Sequence, residues 1–186
     1  MNNIILASSS PRRREILSQA GYNFSVIASC YDEKIQGLKY NPELVINCAY
    51  QKALCVSKEH QNNLIIGSDT VVVHDGIILG KPKDKIEAFN MLKLLSNDTH
   101  FVATAVCLIK NNKVLKDIEL TYVTFRKLSD DEINNYIISK NPLDKAGSYG
   151  IQDEGFDFVT LINGNLDNVI GFPVVLFKKL LSNINL

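Results

Sequence analysis

The sequence lacks an excess of either charge, a long apolar segment and any Cys-x-x-Cys pair. Twenty basic residues balance twenty acidic residues, whereas non-specific nucleic-acid binding needs a strong basic excess. No run approaches the roughly 20 apolar residues that a membrane-spanning helix needs. We therefore expect neither a nucleic acid nor a membrane as a partner.

The N-terminal residues differ from a secretory signal. In a signal peptide the basic residues precede a longer apolar stretch. Here a short apolar run at residues 4–7 precedes Arg12, Arg13 and Arg14. We therefore expect a soluble, cytoplasmic protein.

The four cysteines are Cys30, Cys48, Cys55 and Cys107. Their spacing fits neither a zinc site nor a thioredoxin-type pair. Cys48 and Cys55 stand two turns apart on a predicted helix, which is too far for a disulfide. We expect reduced, buried thiols, as is usual in the cytosol.

Length and patterning indicate the fold class. With 186 residues, 46% of them hydrophobic, the chain can form one ordinary domain or two small lobes that share one core. Strands and helices alternate along it, and residues 74–76 form a predicted hairpin turn. We expect one domain over residues 1–186, of the α/β class, with a mixed rather than purely parallel sheet.

Capping residues, prolines and apolar periodicity predict the individual elements. Helices are expected at about 11–20, 42–58, 85–95, 129–139 and 173–181. Strands are expected at about 4–7, 24–30, 64–73, 77–79, 101–109, 115–125 and 156–162.

The first candidate functional segment is residues 8–13, SSSPRR. Arginines at a helix N-terminus are locally unfavourable because that end already carries partial positive charge, but they are useful if an anion binds there. Arg12 and Arg13 should lean toward the protein body, and Arg14 toward solvent. The alternative is an ordinary basic surface turn.

Lys52 is the only charged residue on an apolar stripe of the second predicted helix. A buried ammonium needs an anionic partner. The alternative is a lysine whose stem passes the edge of the core while its charge reaches water.

Asp69 lies between two apolar runs, in what should be an interior strand. An unpaired carboxylate there would be very costly, so a metal, a lysine or a substrate-linked water is implied. The alternative is an aspartate in a turn at a strand end.

Two further segments supply candidate charges. The predicted hairpin could return Lys81 toward the strand of Asp69, although it could also be a plain surface lysine. Glu33 lies in a charged run that is usually solvated, but it could serve as a second metal carboxylate. Cations could hold a triphosphate while a carboxylate and a metal activate water.

Six segments together resemble the Maf family, which is related to the inosine triphosphate pyrophosphatases. They follow in the family's order and approximate spacing over nearly the whole chain: LASSSPRR at 6–13, QKA at 51–53, GSDT at 67–70, GKP at 80–82, DKAGSYGIQ at 144–152 and NVIGFP at 168–173. Each motif alone is weak, but six in order are specific.

The resemblance implies a fold and an activity. The fold would be a curved mixed β-sheet flanked by helices, with two lobes around a substrate cleft, often in a homodimer. The activity would be hydrolysis of a nucleoside triphosphate to the monophosphate and pyrophosphate. The pair Ile151-Gln152 looks like the subgroup that acts on dTTP and UTP. Asp153 and Glu154 depart from the family pattern, and they could repel a triphosphate or simply point to water.

The resemblance also implies residue roles. Asp69 would accept the proton of the attacking water. Ser8, Arg13, Lys52 and Lys81 match phosphate-contacting positions. Arg12, Thr70 and Gln152 would bear on substrate choice, and Glu33 would join Asp69 in holding a divalent cation, Mg2+ or Mn2+.

One alternative function belongs to another class. The family has been connected with septum formation, so the chain could be a nucleotide-binding regulator of cell division that acts through a protein partner. Intact Asp69, Lys52 and Lys81 argue against the loss of chemistry.

Overall fold

The computed structural model describes residues 4–184, which form six α-helices and seven β-strands. The helices are α1 Pro11–Gln19, α2 Pro42–Ser57, α3 Lys85–Leu95, α4 Asp130–Lys140, α5 Leu166–Ile170 and α6 Val174–Ile184. The strands are β1 Ile4–Leu6, β2 Phe24–Val26, β3 Leu64–His74, β4 Ile77–Leu79, β5 Thr99–Lys110, β6 Lys113–Phe125 and β7 Val159–Asn163. Two 3-10 turns, Pro142–Asp144 and Ala146–Ser148, lie between α4 and β7.

Side-chain caps start four of these helices. Ser10, Asn41 and Asp84 each accept a backbone N–H from the first turn of α1, α2 and α3. Ser129 forms a reciprocal capping box with Glu132 at the start of α4. Each cap satisfies a backbone donor that the helix itself cannot bond. The sequence predicts these helix starts correctly.

The seven strands form one mixed sheet in the order β2-β1-β3-β5-β6-β7, with β4 also paired to β3. Strand β1 runs parallel to β2 and β3. The remaining pairs are antiparallel. The expected α/β fold, a mixed sheet flanked by helices, is confirmed.

Strand β3 carries a gap along one of its edges. Strand β5 pairs with residues 65–73 on one side. On the other side β1 pairs with 64–66 and β4 with 72–74. Within the described chain, residues 67–71 therefore have no strand neighbour on that side. Asp69 lies at the middle of this gap.

Helix α2 packs closely over the face of the sheet that carries Asp69. A side chain at Gly67 would bring its Cβ within 2.1 Å of the Ala49 carbonyl oxygen. Only glycine permits so close an approach. Since Lys52 lies one turn after Ala49, the contact brings the lysine over the same strand.

Several elements differ from the prediction. Helix α6 extends to Ile184 rather than ending near residue 181. Strand β2 ends at Val26 rather than near residue 30. Strand β7 begins at Val159 rather than at Phe156, and the rings of Phe156 and Phe158 pack in an aromatic cluster. Helix α5 was not predicted.

The expectation that all four thiols are reduced is wrong for two of them. Cys30 and Cys55 form a disulfide, with Cα atoms 6.6 Å apart. Cys48 and Cys107 are free and buried, as expected. The sequence argument weighed only neighbours on one helix, whereas folding brings Cys30 from the segment before α2 onto that helix. The bond fastens the segment that carries Glu33 to the helix that carries Lys52.

In residues 4–184 no helix is long and apolar enough to cross a membrane.

Candidate active site

The gap in β3 opens into a pocket of about 350 Å3. Every residue singled out in the sequence lines this pocket, although the motifs lie far apart along the chain. They are Ser8, Arg12, Arg13, Glu33, Lys52, Asp69, Thr70, Lys81 and Gln152. The structure thus brings the candidates together, and their chemical roles remain predictions.

Strand topology explains why these segments converge. The chain leaves β1 beside residue 66 and enters the turn that precedes α1, and the Ala7 N–H bonds the Ile66 carbonyl at 2.8 Å. It leaves β4 at Leu79, opposite Val72, and passes to Lys81. The chain segments that follow β1 and β4 therefore border the gap at its two ends. The predicted return of Lys81 toward Asp69 is therefore confirmed.

Lys52 and two carboxylates form the floor of the pocket. The Lys52 ammonium donates to Asp69 Oδ1 at 2.6 Å and to the Ser68 carbonyl at 3.3 Å. It also contacts Glu33 Oε1. The side chains of Lys52 and Asp69 are only 8% and 4% exposed. The anionic partner that the apolar stripe required is therefore present.

Burial and neighbouring charges shift the pKa values of the two carboxylates, Asp69 and Glu33, in opposite directions. Burial raises the pKa of Asp69, although the Lys52 charge opposes it and the Glu33 charge adds to it. Partial burial also raises the pKa of Glu33, but Lys52 and then Lys81 outweigh it and hold that pKa below its usual value. The raised pKa of Asp69 suits a proton acceptor.

Three partners fix the Arg13 guanidinium. Its Nε donates to the Gly171 carbonyl at 3.1 Å, Nη1 to Ser8 Oγ at 3.2 Å and Nη2 to Thr70 Oγ1 at 3.0 Å. Burial lowers the pKa of Arg13, and Asp69 and Glu33 oppose that shift. An arginine has five N–H donors, so two remain for an anion in the pocket.

Arg12 turns to the other side of the pocket. Its Nη1 donates to Asp144 Oδ2 at 2.7 Å and its Nη2 to the Asp144 carbonyl at 3.2 Å. The Lys145 ammonium donates to Asp144 Oδ1 at 3.1 Å. Arg12 and Arg13 thus lean toward the protein body while Arg14 is exposed, as predicted.

The loop around Gln152 is braced by its neighbours rather than by Gln152 itself. Tyr136 Oη donates to Asp153 Oδ2 at 2.6 Å and accepts the Gly150 N–H at 2.9 Å. The Asp153 carboxylate therefore accepts a hydrogen bond that braces the loop, and it is directed away from an anion in the pocket. The Gln152 amide makes no hydrogen bond to another residue in 4–184, which leaves it available to a ligand.

Glu33 and Asp69 are the carboxylates at the floor of the pocket that could hold a metal. Both converge on the Lys52 ammonium, and Asp69 Oδ2 accepts no hydrogen bond from any residue in the described range. Over residues 4–184, no group of three or more His, Cys, Asp or Glu side chains could hold a metal. Mg2+ is commonly held by one or two carboxylates together with substrate phosphates. The residues fit a metal that arrives with a phosphorylated ligand.

Sequence reasoning missed several residues of the site. Asp144 and Lys145 lie in a quoted motif, but no role was assigned to them. Gly171 also lies in a quoted motif, but no role was assigned to its carbonyl. Thr104 lies in a run that reads simply as a buried strand.

The fold and the pocket together define a class. Five cationic and three acidic side chains line a cleft in a mixed α/β sheet, with a buried carboxylate at its floor. That arrangement suits a polyanionic ligand and a reaction that needs a base. The chain is therefore an α/β protein with a site that suits a polyphosphorylated small molecule.

Comparison with known proteins identifies the family. A model described as Maf-like protein matches residues 3–184, and the chain belongs to the Maf family. The dTTP/UTP pyrophosphatase of Bacillus anthracis (strain CDC 684 / NRRL 3495) is 44% identical over 186 residues, covering 100% of this chain and 97% of that protein. The dTTP/UTP pyrophosphatase of Bacillus cytotoxicus is 46% identical over 174 residues, covering 94% and 91%.

A solved structure is also similar. The nucleoside-triphosphatase, or dITP/XTP pyrophosphatase, of Mycobacterium abscessus aligns over 98% of this chain and 97% of its own, with a TM-score of 0.47 and 11% identity.

Proposed function

We propose that this protein hydrolyses dTTP and UTP to the nucleoside monophosphate and pyrophosphate. The observation that carries the proposal is the buried Lys52–Asp69 pair at the floor of a pocket lined by five cations. Relatives that match nearly the whole chain are named for this reaction. A triphosphate supplies the negative charge that such a pocket needs.

In the proposed reaction a water attacks the α-phosphorus. Asp69 takes a proton from that water as the new phosphorus–oxygen bond forms. The bond from the α-phosphorus to the bridging oxygen breaks, and pyrophosphate leaves with that oxygen. Burial supports this role because it raises the pKa of the Asp69 carboxyl, bringing it nearer to working pH.

The cations would hold the phosphates. Arg13 has two N–H groups left after its three protein bonds. Lys81 is exposed on the same pocket, and Ser8 orients Arg13. Lys52 would keep Asp69 aligned and neutralise charge that develops on the phosphate.

The other end of the pocket would select the base. Gln152 can offer both a donor and an acceptor to a pyrimidine edge. Arg12 borders the same side through its bonds to Asp144. Thr70 lines the same pocket and would also bear on substrate choice.

Glu33 and Asp69 would hold a divalent cation, Mg2+ or Mn2+, together with phosphate oxygens. Such a cation neutralises phosphate charge and polarises the phosphorus that is attacked. A homodimer and a cytoplasmic location remain predictions.

A nucleotide panel tests the proposal. The protein is incubated with dTTP, UTP, CTP and GTP in Mg2+ or Mn2+, and pyrophosphate and orthophosphate are measured separately. We expect pyrophosphate and monophosphate, fastest from dTTP and UTP. Release of orthophosphate would show a different reaction, and an equal rate on GTP would remove the pyrimidine preference. If no nucleotide is hydrolysed, the regulatory alternative would be favoured. No observation on the described residues supports that alternative at present.

A further inference from the structure

Two threonines face each other across the central strands. Thr70 of β3 and Thr104 of β5 are directly paired in the antiparallel ladder. Their Oγ1 atoms lie 3.1 Å apart, and Thr104 is wholly buried. Side chains that oppose each other in this way interact directly. Thr104 is therefore linked to Arg13 through Thr70.

The Thr104 hydroxyl is the donor of this link. It lies 3.1 Å from Thr70 Oγ1 and 3.0 Å from the Asn168 carbonyl, and its geometry suits donation to both. The two acceptors therefore share its one proton. Thr70 Oγ1 accepts from Thr104 on one side and from Arg13 Nη2 on the other.

The proton of Thr70 goes to a third group. Thr70 Oγ1 donates to the Gly171 carbonyl at 3.4 Å, and the same carbonyl accepts the Arg13 Nε at 3.1 Å. Thr104, Thr70, Gly171 and Arg13 therefore form one connected set of hydrogen bonds, and connected hydrogen bonds strengthen one another.

Thr104 also supports a second acceptor of Arg13. Asn168 belongs to α5, and Gly171, which follows that helix, accepts the Arg13 Nε. By holding the Asn168 carbonyl, the Thr104 hydroxyl ties α5 to the sheet. The Thr104 hydroxyl thus contacts the supports of two of the three Arg13 bonds, although the Asn168 side chain also holds α5 through Val102 and Thr121.

We propose that Thr104 is a positioning residue, which aims the free N–H groups of Arg13 at the phosphates of the substrate. The proposal rests on the proposed function for the identity of that substrate. Thr104 does not touch the nucleotide and acts only through Thr70 and α5.

Thr104→Val tests this proposal, because valine keeps the volume and removes the hydroxyl. The matched control is Thr121→Val. Thr121 is equally buried and its hydroxyl also bonds the α5 region, through Asn165 and the Asn168 side chain. It does not bond Thr70 or Arg13. If Thr104→Val fails to fold, Thr104→Ala replaces it.

Two quantities are measured for each variant: kcat/KM on dTTP and the Kd of inorganic tripolyphosphate. We expect Thr104→Val to weaken both by about 3- to 10-fold, the worth of one hydrogen bond. Thr104→Ser, which keeps the hydroxyl, should stay near the wild type. Thr121→Val should lower the melting temperature without a matching loss of tripolyphosphate binding.

A double-mutant cycle with Arg13→Ala separates positioning from general damage. In that background, Thr104→Val should cause no further loss. Equal losses with and without Arg13, or equal losses in Thr104→Val and Thr121→Val, would overturn the proposal. If the wild-type protein binds tripolyphosphate but releases no pyrophosphate from dTTP, the proposed function fails, and the binding data still decide the role of Thr104.

Discussion

The Nζ atom of Lys52 lies 2.6 Å from Oδ1 of Asp69, in a site where both side chains are almost wholly buried. Removing one partner of a buried pair usually costs about 3–5 kcal/mol, because the other charge is left uncompensated. Here Lys52 also contacts Glu33. The ammonium therefore keeps a carboxylate partner if Asp69 is neutralised, which separates the chemistry of Asp69 from the stability of the fold.

Asp69→Asn should reduce turnover by roughly 100-fold or more, because an amide cannot accept the proton of water. The amide oxygen can still accept the Lys52 hydrogen bond, so the fold should be retained. Steady-state rates on dTTP, with circular dichroism, check this. The matched control is Asp75→Asn, at the exposed tip of the β3–β4 hairpin. Near-normal rates in Asp69→Asn would move the base elsewhere.

Lys81→Ala should lower kcat/KM to the same extent for every nucleotide, because all triphosphates share the groups that the ammonium would contact. The expected loss is about tenfold or more, in the range of a hydrogen bond to a charged group. Lys83→Ala is the control, since Lys83 is exposed two residues farther along and outside the pocket lining. A loss that depends on the base would place Lys81 at the wrong end of the substrate.

Gln152→Ala should reduce kcat/KM on dTTP and UTP by about 10-fold, through the loss of a polar contact worth roughly 1–3 kcal/mol. The dTTP-to-GTP ratio of specificity constants should narrow. Because Tyr136 and Asp153 brace the loop, the melting temperature of the variant should hardly differ from that of the wild type. An unchanged ratio, or a clear drop in melting temperature, would indicate a bracing role instead.

His100 should make stability depend on pH. Burial, together with the His74 charge, lowers its pKa to about 3, so the folded protein keeps the ring neutral while the unfolded chain protonates below about 6.5. The unfolded state then binds more protons, and the free energy of unfolding falls with falling pH, by up to about 1.4 kcal/mol per unit.

Urea titrations between pH 6.5 and 5 check the His100 prediction. His100→Gln keeps a side chain that can bond Tyr149 Oη, the partner of Nε2 at 2.7 Å, but it cannot titrate. The variant should therefore lose stability less steeply than the wild type over this interval. Parallel pH profiles for the two proteins would contradict the neutral, buried ring.

Reduction of the Cys30–Cys55 disulfide should lower the free energy of unfolding by about 2–4 kcal/mol, because the bond closes a loop with a sequence separation of 25 residues. The Cys30→Ser, Cys55→Ser double variant should no longer respond to reductant. Under denaturing conditions, thiol titration should find two free groups before reduction and four afterwards. Four groups in untreated protein would show that the bond is absent.

Local signals account for most of the elements. Cap residues such as Asn41 and Ser129 fix helix starts because they satisfy backbone donors within one turn. The sequence pattern did not predict helix α5, because five residues are too few to show a helical period. Short-range patterns thus define long elements well and short ones poorly.

The site could be predicted only in part, for reasons that lie in its geometry. A lysine on an apolar stripe and an aspartate in an apolar strand each require a partner, so a partner could be predicted for both Lys52 and Asp69, but not that they pair with each other. The gap beside residues 67–71 depends on how β1 and β4 share one edge of β3. The meeting of Cys30 with Cys55 likewise depends on distant segments, which no local pattern describes.

The disulfide means that one chain can exist in two covalent forms. Protein isolated in air would carry the bond, and the same chain in a thiol-containing buffer, or in a reducing compartment, would carry two additional thiols. The two cysteines are close in sequence to the candidate site, because Cys30 lies three residues before Glu33 and Cys55 lies three residues after Lys52. Rates obtained from different preparations can therefore be compared only when the thiol content of each sample has been counted.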